Sequence, residues 1–129
     1  MPIQVQRNHM SLVDFMGFSH SETKLILFKN PKLFMERDTD FIQDRFDLLH
    51  NEMGYTHEIL VHFSHVLSAD LLTMKSRQKL LEKLGKNQSD PSKPNYVNPK
   101  AFALSTDEEF CEKVAKIPTD LYYKFLRVV

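Results

Sequence analysis

Four lysines recur at helical spacing in the middle of this chain of 129 residues. Lys75, Lys79 and Lys83 are four residues apart, so on an α-helix their side chains would lie on one face, and Lys86 would extend the line just past the helix. Ammonium groups about 6 Å apart along a helix can follow the phosphates of a nucleic-acid backbone. A row of lysines is also typical of the solvated face of an amphipathic helix, so both interpretations stay open.

Arg77 belongs to a different surface of the same predicted helix, roughly 160° around the axis from Lys79. Its guanidinium could reach a phosphate, or it could donate hydrogen bonds to the backbone carbonyls of a neighbouring repeat. The candidate nucleic-acid contacts are therefore Lys75, Arg77, Lys79, Lys83 and Lys86.

Catalytic and metal chemistry find little support in the residue types. His57, His62 and His65 lie close in sequence, but a zinc site needs about three or four converging ligands, and the chain has neither a cysteine pair nor an HExxH pattern. The single cysteine, Cys111, follows Phe110 on a predicted helix, which is typical of a small core residue. There is no GxSxG, Walker or dinucleotide-binding pattern. We therefore expect no enzyme activity, no metal, no cofactor and no small-molecule substrate.

Charge is balanced over the whole chain but segregated along it. Seventeen basic and seventeen acidic side chains cancel, so the net charge favours neither nucleic acid nor a membrane surface. Residues 36–70 hold eight acids against two bases, a net −6, whereas residues 71–100 hold seven bases against two acids, a net +5. No apolar run approaches the roughly 20 residues needed to span a bilayer, so we expect no membrane partner.

The elements that must position these residues are marked by the three glycines, Gly17, Gly54 and Gly85. Glycine readily adopts the left-handed conformation that follows a helix, so each one predicts a helix end. The intervals of 37 and 31 residues match the lengths of helical hairpins that stack into a solenoid. The sequence therefore predicts an all-α helical-repeat solenoid with an extended surface.

Local patterns predict the helices inside this array. Ser19 with Glu22 forms a capping box at the start of one helix, Leu33 and Phe34 follow in a single turn, and a second helix runs over residues 39–53. Prolines at positions 91, 94 and 99 then favour an extended connector. The predicted segments are 1–16 (tail of a preceding repeat), 17–53 and 54–85 (repeats), 86–99 (proline-rich connector) and 100–129 (C-terminal helical cap).

Several stretches resemble the mitochondrial transcription termination factor (mTERF) family. The resemblance is carried by Gly17-Phe18-Ser19 with Leu25, Ile26, Pro31, Leu33 and Phe34, by Arg77 with Leu81, Leu84 and Gly85, and by the segments 88–96 (QSDPSKPNY) and 107–116 (DEEFCEKVAK). The last two segments are the most specific, and they are most similar to the C-terminal end of the third animal paralogue. The resemblance implies a left-handed solenoid with C-terminal capping helices, located in mitochondria, that binds double-stranded nucleic acid on a basic concave groove.

We therefore expect a non-catalytic, nucleic-acid-binding regulator of mitochondrial gene expression. It would act in transcription regulation, in mitochondrial ribosome biogenesis, or in both, with double-stranded DNA or structured RNA as its partner. The alternative is a protein-interaction module that docks a ribosome-assembly or transcription partner. In that case the acidic second repeat and the aromatic residues Tyr122, Tyr123 and Phe125 would form the interface.

Overall fold

The structure, a computed structural model, describes residues 2–128, and all regular secondary structure in that range is helical. The α-helices are α1 Ile3–Asp14, α2 His20–Lys29, α3 Pro31–Glu36, α4 Thr39–Phe46, α5 His57–His62, α6 Leu71–Leu84, α7 Pro99–Ala103, α8 Asp107–Glu109 and α9 Thr119–Val128. Helices α4 and α8 continue as π-helical segments over Asp47–Glu52 and Phe110–Ala115, and a 3-10 segment, Ser64–Ser68, follows α5. The all-α prediction is confirmed.

Helices end at the three glycines, as the sequence predicts. The backbone φ angles of Gly17, Gly54 and Gly85 are +81°, +87° and +68°, the left-handed region that other residues rarely adopt. After Gly17 the backbone N–H of Phe18 donates to the carbonyl of Leu12 at 3.0 Å, which closes the end of α1 and turns the chain into α2.

Capping boxes form at the starts of two helices, one of them the predicted pair of Ser19 and Glu22. At the start of α2 the Ser19 hydroxyl accepts from the Glu22 backbone N–H, and the Glu22 carboxylate accepts from the Ser19 backbone N–H. Thr106 and Glu109 make the same pair of bonds at the start of α8. The hydroxyl of Ser105, one residue earlier, instead donates to the carbonyl of Ala101 in α7.

A short helix, α7, begins at the end of the predicted connector. Helix α7 begins at Pro99, the last residue of the predicted connector 86–99, with proline in the first turn where its missing N–H costs nothing. The Asn98 side chain caps this helix by accepting from the Ala101 backbone N–H at 2.8 Å. The Asn-Pro pair was thus a helix start as well as a break.

Helix α2 buries less of its apolar surface than its sequence suggests. Thr23 and Ile26 form its buried face, whereas Leu25 is 52% exposed and Phe28 is 89% exposed. Leu25 and Phe28 are three residues apart, so they share a face that points away from the core.

Buried hydrophobic side chains form one cluster that extends from Val5 in α1 to Tyr122 in α9. Neighbouring units contribute matching layers to it. Leu33 and Phe34 of α3 are buried, and Val66 and Leu67 of the 3-10 segment are buried in the corresponding place.

A hydrogen bond recurs between each long helix and the short helix that follows in the next unit. Helix α1 contacts α3, α4 contacts the 3-10 segment, and α6 contacts α7. In each pair a buried or half-buried polar side chain of the long helix donates to a carbonyl at or just past the end of the short one. The three contacts, which we call the clasps, are Asn8 to Phe34 (2.9 Å), Arg45 to Ala69 (2.8 Å) and Arg77 to Phe102 (2.9 Å). The spacing of their donors, 37 and 32 residues, follows that of the glycines.

Candidate nucleic-acid interface

Helix α6 carries the predicted lysines and is fixed at both ends. The Asp70 carboxylate accepts from the backbone N–H of Thr73 at 3.0 Å and from its hydroxyl at 2.7 Å, and these bonds lower the pKa of Asp70 below its ordinary value. Gly85 ends the helix in the left-handed conformation. Met74 and Leu81 lie on the face that is buried in the core.

Lys75, Lys79 and Lys83 are all exposed on α6, with the four-residue spacing that puts them in line. We call them the lysine row. At the C-terminal end of the row, the Lys83 ammonium lies 5.7 Å from the centre of the Phe125 ring in α9. At this distance the cation–π contact restrains the Lys83 side chain, while the exposed ammonium can still bind a ligand.

The N-terminal end of the lysine row borders an acidic groove. This groove has a volume of about 490 Å³, and it is lined by Asp44, Asp47, Leu48, Asn51, Glu52 and Lys75. The Asp47 carboxylate accepts from Gln43 at 2.9 Å and from Asn51 at 3.3 Å, so it is held in an ordered position. The carboxylates offset the charge of Lys75 and disfavour a phosphate beside it. The predicted phosphate contact is therefore favoured more for Lys79 and Lys83 than for Lys75.

Arg77 is buried, with 2% of its surface exposed. Its guanidinium donates to the carbonyls of Phe102 and Ser105 at 2.9 and 2.8 Å, and it pairs with the Asp107 carboxylate at 3.1 Å. The same group lies 4.6 Å from the centre of the Phe110 ring. Arg77 therefore has the second of its two predicted roles, because it donates hydrogen bonds to backbone carbonyls of a neighbouring element.

Lys86 is half-buried just past the end of α6, and its ammonium donates to the carbonyl of Ala115 at 2.5 Å. Ala115 ends the π-helical segment, where free carbonyls and the helix dipole attract a cation. Among the five candidates, Arg77 and Lys86 thus hold neighbouring helices in place. Phosphate contact by the lysine row stays a prediction.

Sequence reasoning missed the neighbours of the lysine row. Phe125 lies 42 residues after Lys83, and Asp44 lies 31 residues before Lys75, so no short-range pattern links these pairs. The acidic stretch 36–70 was visible as net charge, but its position beside the row depends on the contact between α6 and the π-helical end of α4. Of the aromatic residues proposed for a protein interface, Tyr122 is buried and Tyr123 is exposed.

The cysteine and His57, which were also weak candidates for catalysis or metal binding, have structural roles in the fold. Cys111 is buried, as predicted, and burial raises the pKa of its thiol. The His57 Nε2 atom lies 2.6 Å from the Met16 carbonyl oxygen, so this imidazole links α5 to the end of α1. Within residues 2–128, no group of three His, Cys, Asp or Glu side chains is arranged to hold a metal ion. The helices of that range are too short or too polar to cross a membrane.

Comparison with curated proteins gives three related sequences, each named "Transcription termination factor 3, mitochondrial". The chain is 39% identical to the one from Rattus norvegicus over 88 residues, which is 68% of this chain and 22% of the relative. It is 37% identical to the one from Mus musculus over 84 residues, 65% of this chain and 20% of the relative. With the one from Drosophila melanogaster the identity is 28% over 123 residues, 95% of this chain and 34% of the relative.

The chain therefore spans about a fifth to a third of the length of the curated relatives it matches. No protein-family model matches it. The resemblance inferred from the glycine repeats and the proline-rich segment is confirmed by these relatives, including the similarity to the third paralogue.

Proposed function

Because this chain is a relative of the mitochondrial transcription termination factor family, we propose that it is a non-catalytic, nucleic-acid-binding regulator of mitochondrial gene expression. Its ligand is double-stranded DNA or structured RNA, and it acts on transcription, on mitochondrial ribosome biogenesis, or on both. The mitochondrial location fits the names of all three relatives.

The observation that carries the proposal is the exposed lysine row on α6. Three ammonium groups at intervals of about 6 Å match the repeat of a phosphate backbone, and none of the three is buried in the core. Arg77 and Lys86 contribute indirectly, since they tie α6 to α7, α8 and the π-helical segment that follows α8. The row is therefore held on a rigid helix, which lowers the entropy cost of binding.

Phosphate contacts of this kind bind without reading sequence. The test is a titration of duplex DNA and of structured RNA at several salt concentrations, with the variant in which Lys75, Lys79 and Lys83 are all changed to Gln. We expect weaker binding and a slope of log affinity against log salt that is flatter by about 0.9 for each lost contact, which is about 1.8 for Lys79 and Lys83 and at most about 2.7 for all three lysines. Discrimination between sequences should not change.

The matched control neutralises three exposed lysines elsewhere, Lys24, Lys32 and Lys93, and so changes the net charge equally. An equal loss of affinity in both triple variants would mean that only total charge matters. In that case the lysine row would be an ordinary solvated helix face.

The second candidate function is a protein-interaction module for a ribosome-assembly or transcription partner. The acidic groove beside Lys75 favours it, because Asp44, Asp47 and Glu52 present carboxylates that a basic partner would pair with. Exposed Tyr123 on α9 offers an aromatic contact. Nucleic-acid binding that is absent or independent of salt would favour this candidate over the first.

A further inference from the structure

A second groove, separate from the lysine row, runs between α2, α5 and the connector. Its volume is about 920 Å³, and we call it the α2–α5 groove. Leu25, Ile59, Phe63, Pro91 and Tyr96 provide its apolar lining. None of the five candidate nucleic-acid contacts lines it.

The apolar lining is open to solvent. Leu25 is 52% exposed at the wall formed by α2, while Ile59, Phe63 and Tyr96 pack partly against the core and leave the rest of their surface to the groove. Amphipathic helices commonly bind with their apolar face in a groove of this kind, which has apolar walls and charged edges.

Two contacts fix the relative direction of α2 and α5. At their beginnings, His57 of α5 lies 2.6 Å from the carbonyl of Met16, shortly before α2. At their ends, the ammonium of Lys29 donates to the carbonyl of Val61 at 3.4 Å. The two helices therefore run side by side in the same direction, and their first turns line one end of the groove.

The charged residues along the groove are sorted by this direction. Glu22 and Glu58 lie in the first turns of α2 and α5, and Lys29 is the last residue of α2. Seven residues of helix separate Glu22 from Lys29, so the charge reverses over about 10 Å. The groove has an acidic end and a basic end.

We propose that the α2–α5 groove binds one amphipathic helix of a protein partner, lying antiparallel to α2 and α5. Its apolar face would cover Leu25, Ile59 and Tyr96. Helices favour acidic residues in the first turn and basic residues in the last. Only the antiparallel direction places such a helix with its acidic beginning beside Lys29 and its basic end beside Glu22. The dipole of the bound helix is then also favourably opposed to the dipoles of α2 and α5.

The test is a selection against the intact chain from a phage-displayed library of 18-residue amphipathic helices with randomised charges. We expect enrichment of peptides that are acidic in the first half and basic in the second. Binding of a selected peptide, measured by fluorescence anisotropy, should fall at least tenfold for Leu25→Asp and should fall clearly for the milder Leu25→Gln. The control is Phe28→Asp, because Phe28 is more exposed than Leu25 but does not line the groove.

Three results would overturn the proposal. A selection that enriches no helical peptide would mean that the groove has no such ligand. Equal losses in Leu25→Asp and Phe28→Asp would indicate general apolar adhesion. Dimerisation of the free chain in sedimentation, abolished by Leu25→Asp, would make the occupant a second copy of this chain. Duplex binding should be the same in Leu25→Asp and the unchanged chain, so the outcome is separate from that of the lysine row.

Discussion

Arg77 and Asp107 form an ion pair, Nη2 to Oδ1 at 3.1 Å, between the middle of α6 and the start of α8. The second carboxylate oxygen of Asp107 accepts from the Tyr123 hydroxyl of α9 at 3.2 Å. One carboxylate therefore links three helices, and it holds the helix of the lysine row against the C-terminal part of the chain.

Removing the Arg77 side chain should strongly destabilise the fold. In Arg77→Gln two backbone carbonyls lose a donor and the Asp107 carboxylate loses its cation while it keeps the Tyr123 hydroxyl, and breaking a buried pair costs about 3 to 5 kcal/mol. Asp107 is 36% exposed and can be rehydrated, so we expect a loss near the lower limit, about 3 kcal/mol. Urea unfolding followed by circular dichroism measures it. Lys79→Gln, at an exposed site on the same helix, should change the free energy of unfolding by no more than about 0.5 kcal/mol. Equal losses in the two variants would contradict the structural role of Arg77.

Gly54 and Gly85 should differ in their tolerance of alanine. Both have left-handed φ angles, and a Cβ there costs about 1 kcal/mol or more. At Gly54 the added Cβ would also lie 2.8 Å from the Ser89 hydroxyl oxygen, whereas at Gly85 no neighbouring atom lies within 4 Å. Gly54→Ala should therefore destabilise more than Gly85→Ala in thermal unfolding, and Gly54→Val more still.

The difference between the two glycines has its own control. Changing Ser89 to Gly in the Gly54→Ala variant removes the close contact, so part of the lost stability should return. If the two alanine variants are equally stable, the side chain of Ser89 rotates away at no cost and backbone strain alone accounts for both.

Tyr55 should stabilise the fold at neutral pH, and this stabilisation should weaken at alkaline pH. Its hydroxyl donates to the buried carbonyl of Val97 at 2.6 Å, and Tyr55→Phe leaves that carbonyl without a donor, at about 1 to 3 kcal/mol. Burial also raises the pKa of Tyr55, which favours the neutral phenol in the folded state. Its contribution is therefore complete below about pH 10, the ordinary value for tyrosine, and falls as the pH rises above it.

The alkaline part of this prediction is measured by unfolding between about pH 8 and pH 11. Stability of the unchanged chain should fall more steeply above about pH 10 than that of Tyr55→Phe. Tyr96→Phe serves as the comparison at neutral pH, because Tyr96 is only half-buried. Parallel pH profiles for the unchanged chain and Tyr55→Phe would contradict the assignment.

Lys83 and Lys86 should separate binding from stability. Lys86→Gln removes the ammonium that bonds Ala115, so we expect a loss of about 1 kcal/mol in unfolding with little change in the salt slope of duplex binding. Lys83→Gln should flatten that slope by about 0.9 and barely change stability. A flatter salt slope for Lys86→Gln as well would place its ammonium on a phosphate.

The parts of the fold that the sequence predicted are those with short-range causes. Gly17 and Gly54 require a special backbone conformation, and Ser19 caps α2 by accepting from the backbone N–H three residues later, so each pattern is complete within a few positions. The short helix at Pro99 was missed because Pro91 and Pro94, together with Pro99 itself, favoured an extended connector over the one Asn-Pro start signal. The π-helical segment Asp47–Glu52 has no comparable local signature.

The candidate site was only partly predictable for the same reason. Periodicity alone identified the exposed row formed by Lys75, Lys79 and Lys83. It could not decide that Lys86 would bond Ala115 or that Lys75 would face Asp47, since these pairs are about 30 residues apart in sequence. The sequence predicted which side of α6 carries Arg77, but it could not identify the partners of Arg77, because they lie in the next unit.

The clasps of Asn8, Arg45 and Arg77 give the chain a polarity. In each one the donor belongs to the earlier unit and the acceptor to the later one. If the array opens from its C-terminal end, each step removes the acceptor of a buried or half-buried side-chain donor, which is a guanidinium in two of the three clasps, so opening from that side should proceed in discrete steps. If it opens from the N-terminal end, it uncovers carbonyls that water can satisfy. The N-terminal and C-terminal units should therefore unfold at different forces when the chain is pulled by its ends, and a single-molecule pulling trace would show which unit unfolds first.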